Sequence, residues 1–181
     1  MPDLKTVSRS RCVMTEIVLP NDTNGMGNLM GGHLMYLMDK CAAISAQRHA
    51  NIVCVTAAVD SVEFQAPIRQ SEVVILESWV NRAFRSSMEV ELIVMAENPR
   101  EQTLRQCSRA FFTFVALGND GKPVPIPPIH PVTDEEHKRH EQAARRREAR
   151  LVFAGRLKLE DAKHIKEDLL EAVTRNRQDA R

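Results

Sequence analysis

The sequence predicts an α+β fold in which an antiparallel sheet wraps around one long helix. Three observations lead to this class. The segment from Gly32 to about Ala50 carries apolar residues at the 3.6-residue period of a helix. Several segments with the two-residue alternation of strands follow it, separated by short turns. A helix and a sheet that are each apolar on one face bury those faces against each other, and here only one such helix precedes the strands.

The first elements in chain order are a strand and this helix. Residues Val7 to Leu19 are predicted to form the strand, which Pro20-Asn21-Asp22 ends. The first half of the helix is apolar on almost all sides, which predicts a central, buried position. Its periodic apolar positions are Leu34, Leu37, Met38, Cys41, Ala42 and Ile44.

Four further strands are predicted at Ile52–Phe64, Glu72–Val80, Met88–Ala96 and Leu104–Leu117. A proline-rich extended stretch, residues 123–131, follows them. The sheet needs cover on its second face and at its edges, which predicts an oligomer. Alternate residues of the last three strands should share one face: Val74, Leu76, Ser78 and Val80; Met88, Val90, Leu92, Val94 and Ala96; and Ala110, Phe112, Phe114 and Ala116.

The composition changes at Thr133, so we expect one domain at residues 1–132 and a charged helical extension at residues 133–181. The extension is either a solvated tail or a source of positive charge near a phosphate site, through Arg145, Arg146 and Arg147. Its two predicted helices run from the capping-box sequence Thr133–Glu136 to about Phe153, and from about Leu159 to about Arg175.

The composition argues against several classes of protein. A net charge of +1 over 181 residues gives no strong field for nucleic acid or membranes, and 4% aromatic residues is low for base stacking. No signal-peptide core opens the chain, and no apolar run reaches the roughly 18 residues that span a bilayer. We therefore expect no nucleic-acid partner, no membrane insertion and a cytoplasmic location. The cysteines, which form no CxxC pair and predict buried, reduced thiols and no metal site, are Cys12, Cys41, Cys54 and Cys107.

The segment from Asn24 to Asp39 is the most informative part of the chain. A polar, glycine-rich loop leads into the apolar helix, and Gly31-Gly32 allows a backbone or a ligand to approach closely. The first N–H groups of a helix have no partner within it and can hold a developing oxyanion. Asp39 lies among Leu, Met and Ala residues, without an oppositely charged residue one turn away. Its partner must come from elsewhere in the fold or from another chain, because a lone buried charge is costly.

The pattern Asn24-x-x-Gly27-x-x-x-Gly31-Gly32-x-Leu34-x-x-x-x-Asp39 resembles the signature of the hotdog-fold acyl-CoA thioesterases. The resemblance covers residues from about 10 to 130 in the right order, and the tail is similar to that of bacterial members. The further matching pieces are Arg48–Asn51, Val55–Phe64, Pro67-Ile68, Ser86–Val90, Phe111–Ala116, Arg145–Arg147 and Gly155–Lys158.

This resemblance implies a hotdog fold, a long central helix wrapped by a curled antiparallel sheet, with residues 1–132 as the thioesterase domain. It implies hydrolysis of fatty acyl-CoA to free acid and CoA, without a cofactor, because CoA is part of substrate and product. It also implies active sites at a dimer interface, which combine Asn24 of one chain with Asp39 of the next. Such dimers commonly assemble into hexamers, as trimers of dimers.

Two positions depart from the family pattern. Ser71 stands where family members usually have glycine, which leaves the start of the following strand in doubt. Gly25 lies where many relatives carry a bulkier residue, so we expect a more mobile loop here.

The reaction needs a nucleophile and a polarised carbonyl, because the CoA thiolate leaves readily. Asp39 is the candidate general base or nucleophile. Asn24 is suited to hold a water or the carbonyl, since its amide both donates and accepts; otherwise it only forms a turn. The N–H groups of Gly32 and His33 are the oxyanion candidates, unless the glycines serve packing alone.

Other residues are candidates for holding the rest of the substrate. Thr56 is placed to hydrogen-bond the pantetheine amides, and the methionines of the helix offer an adaptable wall for the acyl chain. The turn that joins two strands there offers either a site for the CoA phosphates or merely a solvated hairpin. The turn residues are Arg82, Arg85, Ser86 and Ser87, with weaker help expected from Arg145, Arg146 and Arg147.

Two competing functions remain at this point. A non-catalytic acyl-CoA binding or sensing module on the same fold would not need both Asn24 and Asp39. A hotdog dehydratase would need a histidine-centred site, and His33 and His49 are more simply explained as structural. The chain has no Gly-x-Ser-x-Gly sequence, which argues against a serine hydrolase.

Overall fold

A computed structural model describes residues 5–60 and 62–166 of the chain. The chain divides into two compact units at the junction between Val132 and Thr133. That the first unit alone is the thioesterase domain stays a prediction. No helix within the described ranges is long and apolar enough to cross a membrane.

The described part of the first unit is an antiparallel sheet of six strands that lies against one long helix. The strand order is β1-β4-β5-β6-β2, with β3 paired to β6, so β1 and β2 form the two ends of the sheet. The strands are β1 (Cys12–Ile17), β2 (Cys54–Val59), β3 (Glu63–Phe64), β4 (Val73–Ala83), β5 (Ser87–Asn98) and β6 (Thr103–Ala116). The predicted α+β class and the alternation of β4, β5 and β6 are confirmed, because every residue assigned to the common face is buried.

The central helix, α2, spans Gly31–Ala50 and packs on that face. Leu34, Leu37, Met38, Cys41 and Ala42 are buried, as predicted from their spacing. The prediction that the first half of α2 is buried because it is apolar on almost all sides is wrong for the single chain. Met35 and Tyr36 are 42% and 61% exposed, so one apolar side of α2 is open. The exposed residues on this side explain why the helix is apolar on almost all sides in the sequence. No described residue of this chain covers them.

Two predicted strands differ from the observed elements. Residues Val7–Ser10 form a short helix, α1, where the Ser10 hydroxyl donates to the carbonyl of Val7 at 2.7 Å. Serine and threonine compete with strand formation through such local bonds, which explains the difference. The segment predicted as one strand at 52–64 is divided into β2 and β3, and β2 contains a bulge between Thr56 and Ala58.

The proline-rich stretch is a strap that several hydrogen bonds hold to the rest of the first unit. The N–H of Ile126 donates to the Arg85 carbonyl at 3.0 Å, and that of His130 donates to the Lys5 carbonyl at 2.8 Å. Between them, His49 Nε2 lies 2.9 Å from the carbonyl of Pro127. The strap therefore connects the β4–β5 turn to the end of α2.

In the second unit the predicted charged helix is confirmed as α3, Asp134–Phe153, with the capping box between Thr133 and Glu136. A 3₁₀ turn follows at Leu159–Asp161, and residues 163–166 are helical. The remainder of the second predicted helix lies outside the described residues.

Candidate active site

Asp39 lies half-buried on α2, and its partner is a side chain of the next strand. The hydroxyl of Thr56 donates to Asp39 Oδ1 at 2.5 Å. A short bond from a hydroxyl to a carboxylate is charge-assisted and fixes the orientation of the acid. Among the described contacts, the second oxygen, Oδ2, has no partner. The site therefore holds an oriented carboxylate with one oxygen open for chemistry.

The fold explains why Thr56 meets Asp39. Strand β2 follows α2 directly and pairs with β6, where Thr56 lies opposite Phe114. Phe114 is buried on the helix-facing side of the sheet, and cross-strand partners point to the same side. The bulge next to Thr56 re-aims the local strand, as bulges near active sites often do. The bond to Asp39 is a role of Thr56 that the sequence does not predict, and a bond from Thr56 to the pantetheine amides stays a prediction.

Asn24 is exposed in the loop before α2, and its side-chain oxygen forms a turn. Oδ1 accepts from the N–H groups of Met26 at 2.9 Å and Asn28 at 3.3 Å. The turn-forming alternative is therefore right for Oδ1, and this oxygen is not free to hold a water as expected. The amide Nδ2 has no recorded partner among the described residues. No recorded contact within the described chain joins Asn24 to Asp39.

The glycine pair at the start of α2 is not required by packing within this chain. A Cβ added at Gly32 would meet nothing within 4 Å, and one at Gly31 would meet only the Phe64 ring at an ordinary 3.6 Å. Met30, the N-cap residue, provides no side-chain bond to the helix start. Among the described residues, no acceptor is recorded for the N–H of Gly32 or of His33. Two donors without a recorded acceptor among the described residues thus lie at the positive end of a 20-residue helix.

Both histidine side chains that were considered as bases have structural partners. His33 Nδ1 lies 3.2 Å from Asp22 Oδ1, and the other oxygen of Asp22 accepts from the N–H of Leu19 at 3.0 Å. His49 is buried against the strap, and burial lowers its pKa. Neither arrangement forms the histidine-centred site that a dehydratase needs. No group of three or more His, Cys, Asp or Glu side chains within the described residues is arranged to hold a metal.

The predicted phosphate-binding turn lies at the same end of the sheet as Thr56. Met88, Phe114 and Thr56 form one row across β5, β6 and β2, so Ser87 lies about 10 Å from Thr56. Met88 faces the helix, so Ser87 points to the other face. The guanidinium of Arg82 lies 5.7 Å from the Phe84 ring, and Arg85 is exposed at the tip.

The other predicted turn residue, Ser86, contributes its carbonyl to the fold by accepting from the N–H of Ala116 at 2.9 Å. Arg145 and Arg146 lie on α3 in the second unit. Their part in a phosphate site stays a prediction.

Known proteins are similar to this chain in sequence. The sequence model of the Thioesterase superfamily matches residues 26–103. The chain is 43% identical over 145 residues to the uncharacterized acyl-CoA thioester hydrolase YkhA of Bacillus subtilis, with 80% of this chain and 84% of that protein covered. It is 37% identical over 143 residues to the rat cytosolic acyl coenzyme A thioester hydrolase, covering 78% of this chain and 38% of the rat protein.

Solved structures share the fold over most of the chain. An acyl-CoA hydrolase from Bacillus cereus has a TM-score of 0.79 and 37% identity, covering 95% of this chain and 97% of that one. An apo-hexameric acyl-CoA thioesterase has a TM-score of 0.81 and 38% identity, covering 84% and 97%. An acyl-CoA hydrolase from Staphylococcus aureus, in complex with butyryl coenzyme A, coenzyme A and coenzyme A disulfide, has a TM-score of 0.77 and 34% identity, covering 84% and 95%. Variants of this last enzyme replace one aspartate, one threonine and one asparagine by alanine.

The sheet around α2 is therefore a hotdog fold, and the relatives of the chain are thioester hydrolases. The chain belongs to the Thioesterase superfamily, as the Asn24–Asp39 pattern predicted. Its relatives are named as enzymes and not as sensing modules.

Proposed function

We propose that this chain hydrolyses fatty acyl-CoA to free fatty acid and CoA, with Asp39 as the reacting group. The observation that carries the proposal is the 2.5 Å bond from Thr56, which orients a carboxylate whose second oxygen is open. The named activities of the Bacillus and Staphylococcus relatives support the choice of acyl-CoA as substrate. No cofactor is needed, because a thioester already contains a good leaving group. The cytoplasmic location stays a prediction.

Asp39 acts in one of two ways. As a general base, Oδ2 takes a proton from water while the water oxygen attacks the thioester carbon. As a nucleophile, Oδ2 attacks that carbon itself and forms an anhydride, which water then hydrolyses. In both routes the carbon–sulfur bond breaks and CoA leaves as a thiolate. The Thr56 hydroxyl positions the carboxylate in either case.

The carbonyl oxygen becomes negative in the transition state and needs donors. The N–H groups of Gly32 and His33 are suitable because they lie at a helix N-terminus and have no recorded acceptor. Asn24 is suitable through Nδ2, since its Oδ1 is used in the turn. Met30 and Met35, both about 40% exposed, offer an adaptable apolar wall for the acyl chain.

We assign Asn24 and Asp39 of one site to two subunits. Support comes from the surface around Asp39, where Met35, Tyr36 and the edge strand β2 are exposed, including Val55 at 41%. An unpaired strand edge beside an apolar helix face is suited to a second copy of the chain. The hexameric thioesterase of known structure supports a trimer of such dimers.

The Staphylococcus variants support the choice of residues. The asparagine, aspartate and threonine replaced there follow one another at the same spacing as Asn24, Asp39 and Thr56 do here. We further assign the CoA phosphates to the β4–β5 turn, with Arg85 as the exposed cation and Arg82, Ser86 and Ser87 beside it. Arg145 and Arg146 are assigned a weaker, electrostatic part.

The test is hydrolysis of acyl-CoA substrates across chain lengths, with released CoA detected by a thiol reagent. All four cysteines of the chain are buried, so the reagent reports CoA. Asp39→Asn should lower kcat by roughly 10²–10⁴-fold, the range for loss of a catalytic base. Asp120→Asn, at an exposed turn, is the matched control and should leave turnover unchanged. Wild-type protein without acyl-CoA hydrolysis, or an Asp39→Asn variant with normal turnover, would contradict the proposal.

A further inference from the structure

An aromatic side chain that the proposed reaction does not use lies beside the start of α2. A Cβ added at Gly31 would come within 3.6 Å of Cε2 and Cζ of Phe64, so this ring covers one side of Gly31. The Phe64 residue is nevertheless 52% exposed. One part of the ring therefore packs on the helix, and the described residues of this chain leave the rest uncovered.

Strand β3 holds this ring in place. Phe64 pairs with Ser108 of β6, which is buried, and the residues on either side of Phe64 are each bonded to β6. The Ser108 hydroxyl donates to the carbonyl of Glu63 at 2.9 Å, and the N–H of Gln65 donates to the carbonyl of Cys107 at 2.9 Å. Because the backbone is fixed on both sides, the ring is a preformed wall that no ligand has to order.

The uncovered part of the ring borders the proposed oxyanion donors. Gly32 follows Gly31 directly, and a Cβ added at Gly32 would meet no atom within 4 Å. Side chains of a helix tilt toward its N-terminus, which is also the direction in which its first N–H groups point. The Phe64 ring and the N–H of Gly32 therefore face the same space. A thioester whose carbonyl oxygen accepts from Gly32, at about 2.9 Å, places the atoms next to that carbonyl beside the ring.

The chemistry of the ring favours the acyl side of the thioester. The pantetheine arm carries amides that need hydrogen-bond partners, and a phenyl ring has no conventional donor or acceptor to offer. The first carbons of a fatty acyl chain are apolar, and burying them against an aromatic face is favourable. Met30, which directly precedes Gly31 and is 40% exposed, is a second apolar side chain at the helix start.

We propose that Phe64 determines which acyl groups react, by contacting the carbons next to the thioester and excluding chains that carry a branch there. This inference rests on the proposed function, because it needs the carbonyl to lie at the start of α2. A wall close to the reacting carbon discriminates by bulk at the neighbouring acyl carbons. The far end of the chain extends beyond the ring, so a branch there should not meet Phe64.

The test compares three isomeric substrates: a straight-chain acyl-CoA that wild type hydrolyses, its 2-methyl isomer and its isomer branched at the chain end. The CoA part and the number of carbons are the same in all three. Wild type should prefer the straight chain to the 2-methyl isomer. Phe64→Ala should raise kcat/KM for the 2-methyl isomer, relative to the straight chain, at least about fivefold, because a methylene in an apolar pocket changes discrimination by about 10–200-fold. The ratio for the end-branched isomer should stay as in wild type.

Two further variants serve this comparison. Phe64→Leu keeps an apolar contact with Gly31 and should shift the 2-methyl ratio in the same direction by a smaller factor, which preserves the test if Phe64→Ala does not fold. Phe153→Ala, at a phenylalanine that is 91% exposed in the second unit, is the matched control and should leave every ratio unchanged.

The outcomes separate this inference from the proposed function. If wild type hydrolyses acyl-CoA and neither Phe64 variant changes the isomer ratios, the inference is overturned and the proposed function stands. An equal change for all three substrates would assign Phe64 to helix packing or to the pantetheine arm, and would overturn the inference as well. Wild type that hydrolyses no acyl-CoA of any length would contradict the proposed function and, with it, this role of Phe64.

Discussion

At the scale of single residues, the site depends on which atom of each side chain is already used. Thr56 uses its proton on Asp39, so the carboxylate keeps a fixed orientation and one open oxygen. Asn24 uses its oxygen in the turn, so only its amide donor is available. The sequence identified both residues as candidates but did not show these assignments, which depend on neighbours brought together by the fold.

We expect Thr56→Val to lower kcat by roughly 10–100-fold, because a hydrogen bond to a charged group contributes about 1.5–3 kcal/mol. The variant is nearly isosteric and removes only the hydroxyl. Thr56→Ser keeps the hydroxyl and should retain most of the activity. Steady-state kinetics on acyl-CoA, with a pH–rate profile for each variant, measures the effect. Equal kcat values and equal profiles for Thr56→Val and wild type would remove Thr56 from the mechanism.

The substitution Asn24→Asp distinguishes the role of Asn24 in the turn from its role in catalysis. The carboxylate retains an oxygen that accepts from Met26 and Asn28, so the unfolding midpoint should stay near that of wild type. The variant lacks the Nδ2 donor, so kcat should fall at least tenfold. Asn24→Ala should lose both stability and activity. Full activity in Asn24→Asp would restrict Asn24 to a role in the turn.

At the scale of elements, long periodic segments were predictable and short or irregular ones were not. Helix α2, strands β4 to β6 and helix α3 repeat their pattern over several turns or alternations, so burial follows from spacing. Helix α1 has four residues, too few to show a period. The bulge at Thr56 and the contact of β2 with Asp39 depend on tertiary pairing, which spacing along the chain does not record.

The departure at position 71 has a structural consequence. Ser71 adopts φ 68°, a left-handed conformation that glycine adopts easily and serine does not. We expect Ser71→Gly to raise the free energy of unfolding by about 0.5–1 kcal/mol, since the left-handed conformation costs a non-glycine residue about 1–2 kcal/mol. Ser8→Gly, in helix α1, is the control and should destabilise. Urea unfolding measures both, and a less stable Ser71→Gly protein would contradict the assignment of strain.

The bond between α2 and the strap predicts a pH dependence. Burial lowers the pKa of His49 from its ordinary 6.5, and the charge of Lys5 adds to this, although the Pro127 carbonyl opposes it. As the pH falls, His49 therefore takes up a proton in the unfolded chain before it does so in the native chain. Stability should be constant above about pH 6.5 and fall as the pH drops below it, by up to about 1.4 kcal/mol per pH unit.

Unfolding midpoints between pH 7 and pH 5 measure this effect. This pH range lies above 4.5, the ordinary pKa of Glu72. Burial would raise that pKa, but hydrogen bonds from Arg105 hold it lower in the native chain. The contribution of Glu72 to stability is lost only below 4.5, so it does not change within the range. His49→Gln should flatten the dependence, and His130→Gln, at an exposed position, should leave it as in wild type. The same slope in wild type and His49→Gln would show that another group titrates.

At the scale of the whole molecule, the proposed active site requires more than one chain. Asp39 lies beside an exposed apolar helix face and an unpaired strand edge, while Asn24 makes no recorded contact with it within the described chain. The sequence predicted the need for cover on the sheet, and the resemblance supplied the pairing of the two residues across subunits. The structure contains one chain, so the pairing of Asn24 with Asp39 of another subunit is the central claim of the proposed function.

The most direct test of this claim mixes two variants of low activity. Asn24→Asp and Asp39→Asn chains are purified separately, mixed under conditions where subunit exchange is demonstrated, and assayed for acyl-CoA hydrolysis. A mixed dimer contains one site in which both residues are wild type, so we expect recovery of up to about a quarter of wild-type activity at equal proportions. Either variant exchanged with itself is the control and should keep its own low activity. No recovery despite demonstrated exchange would mean that both residues act within one chain and would contradict the account.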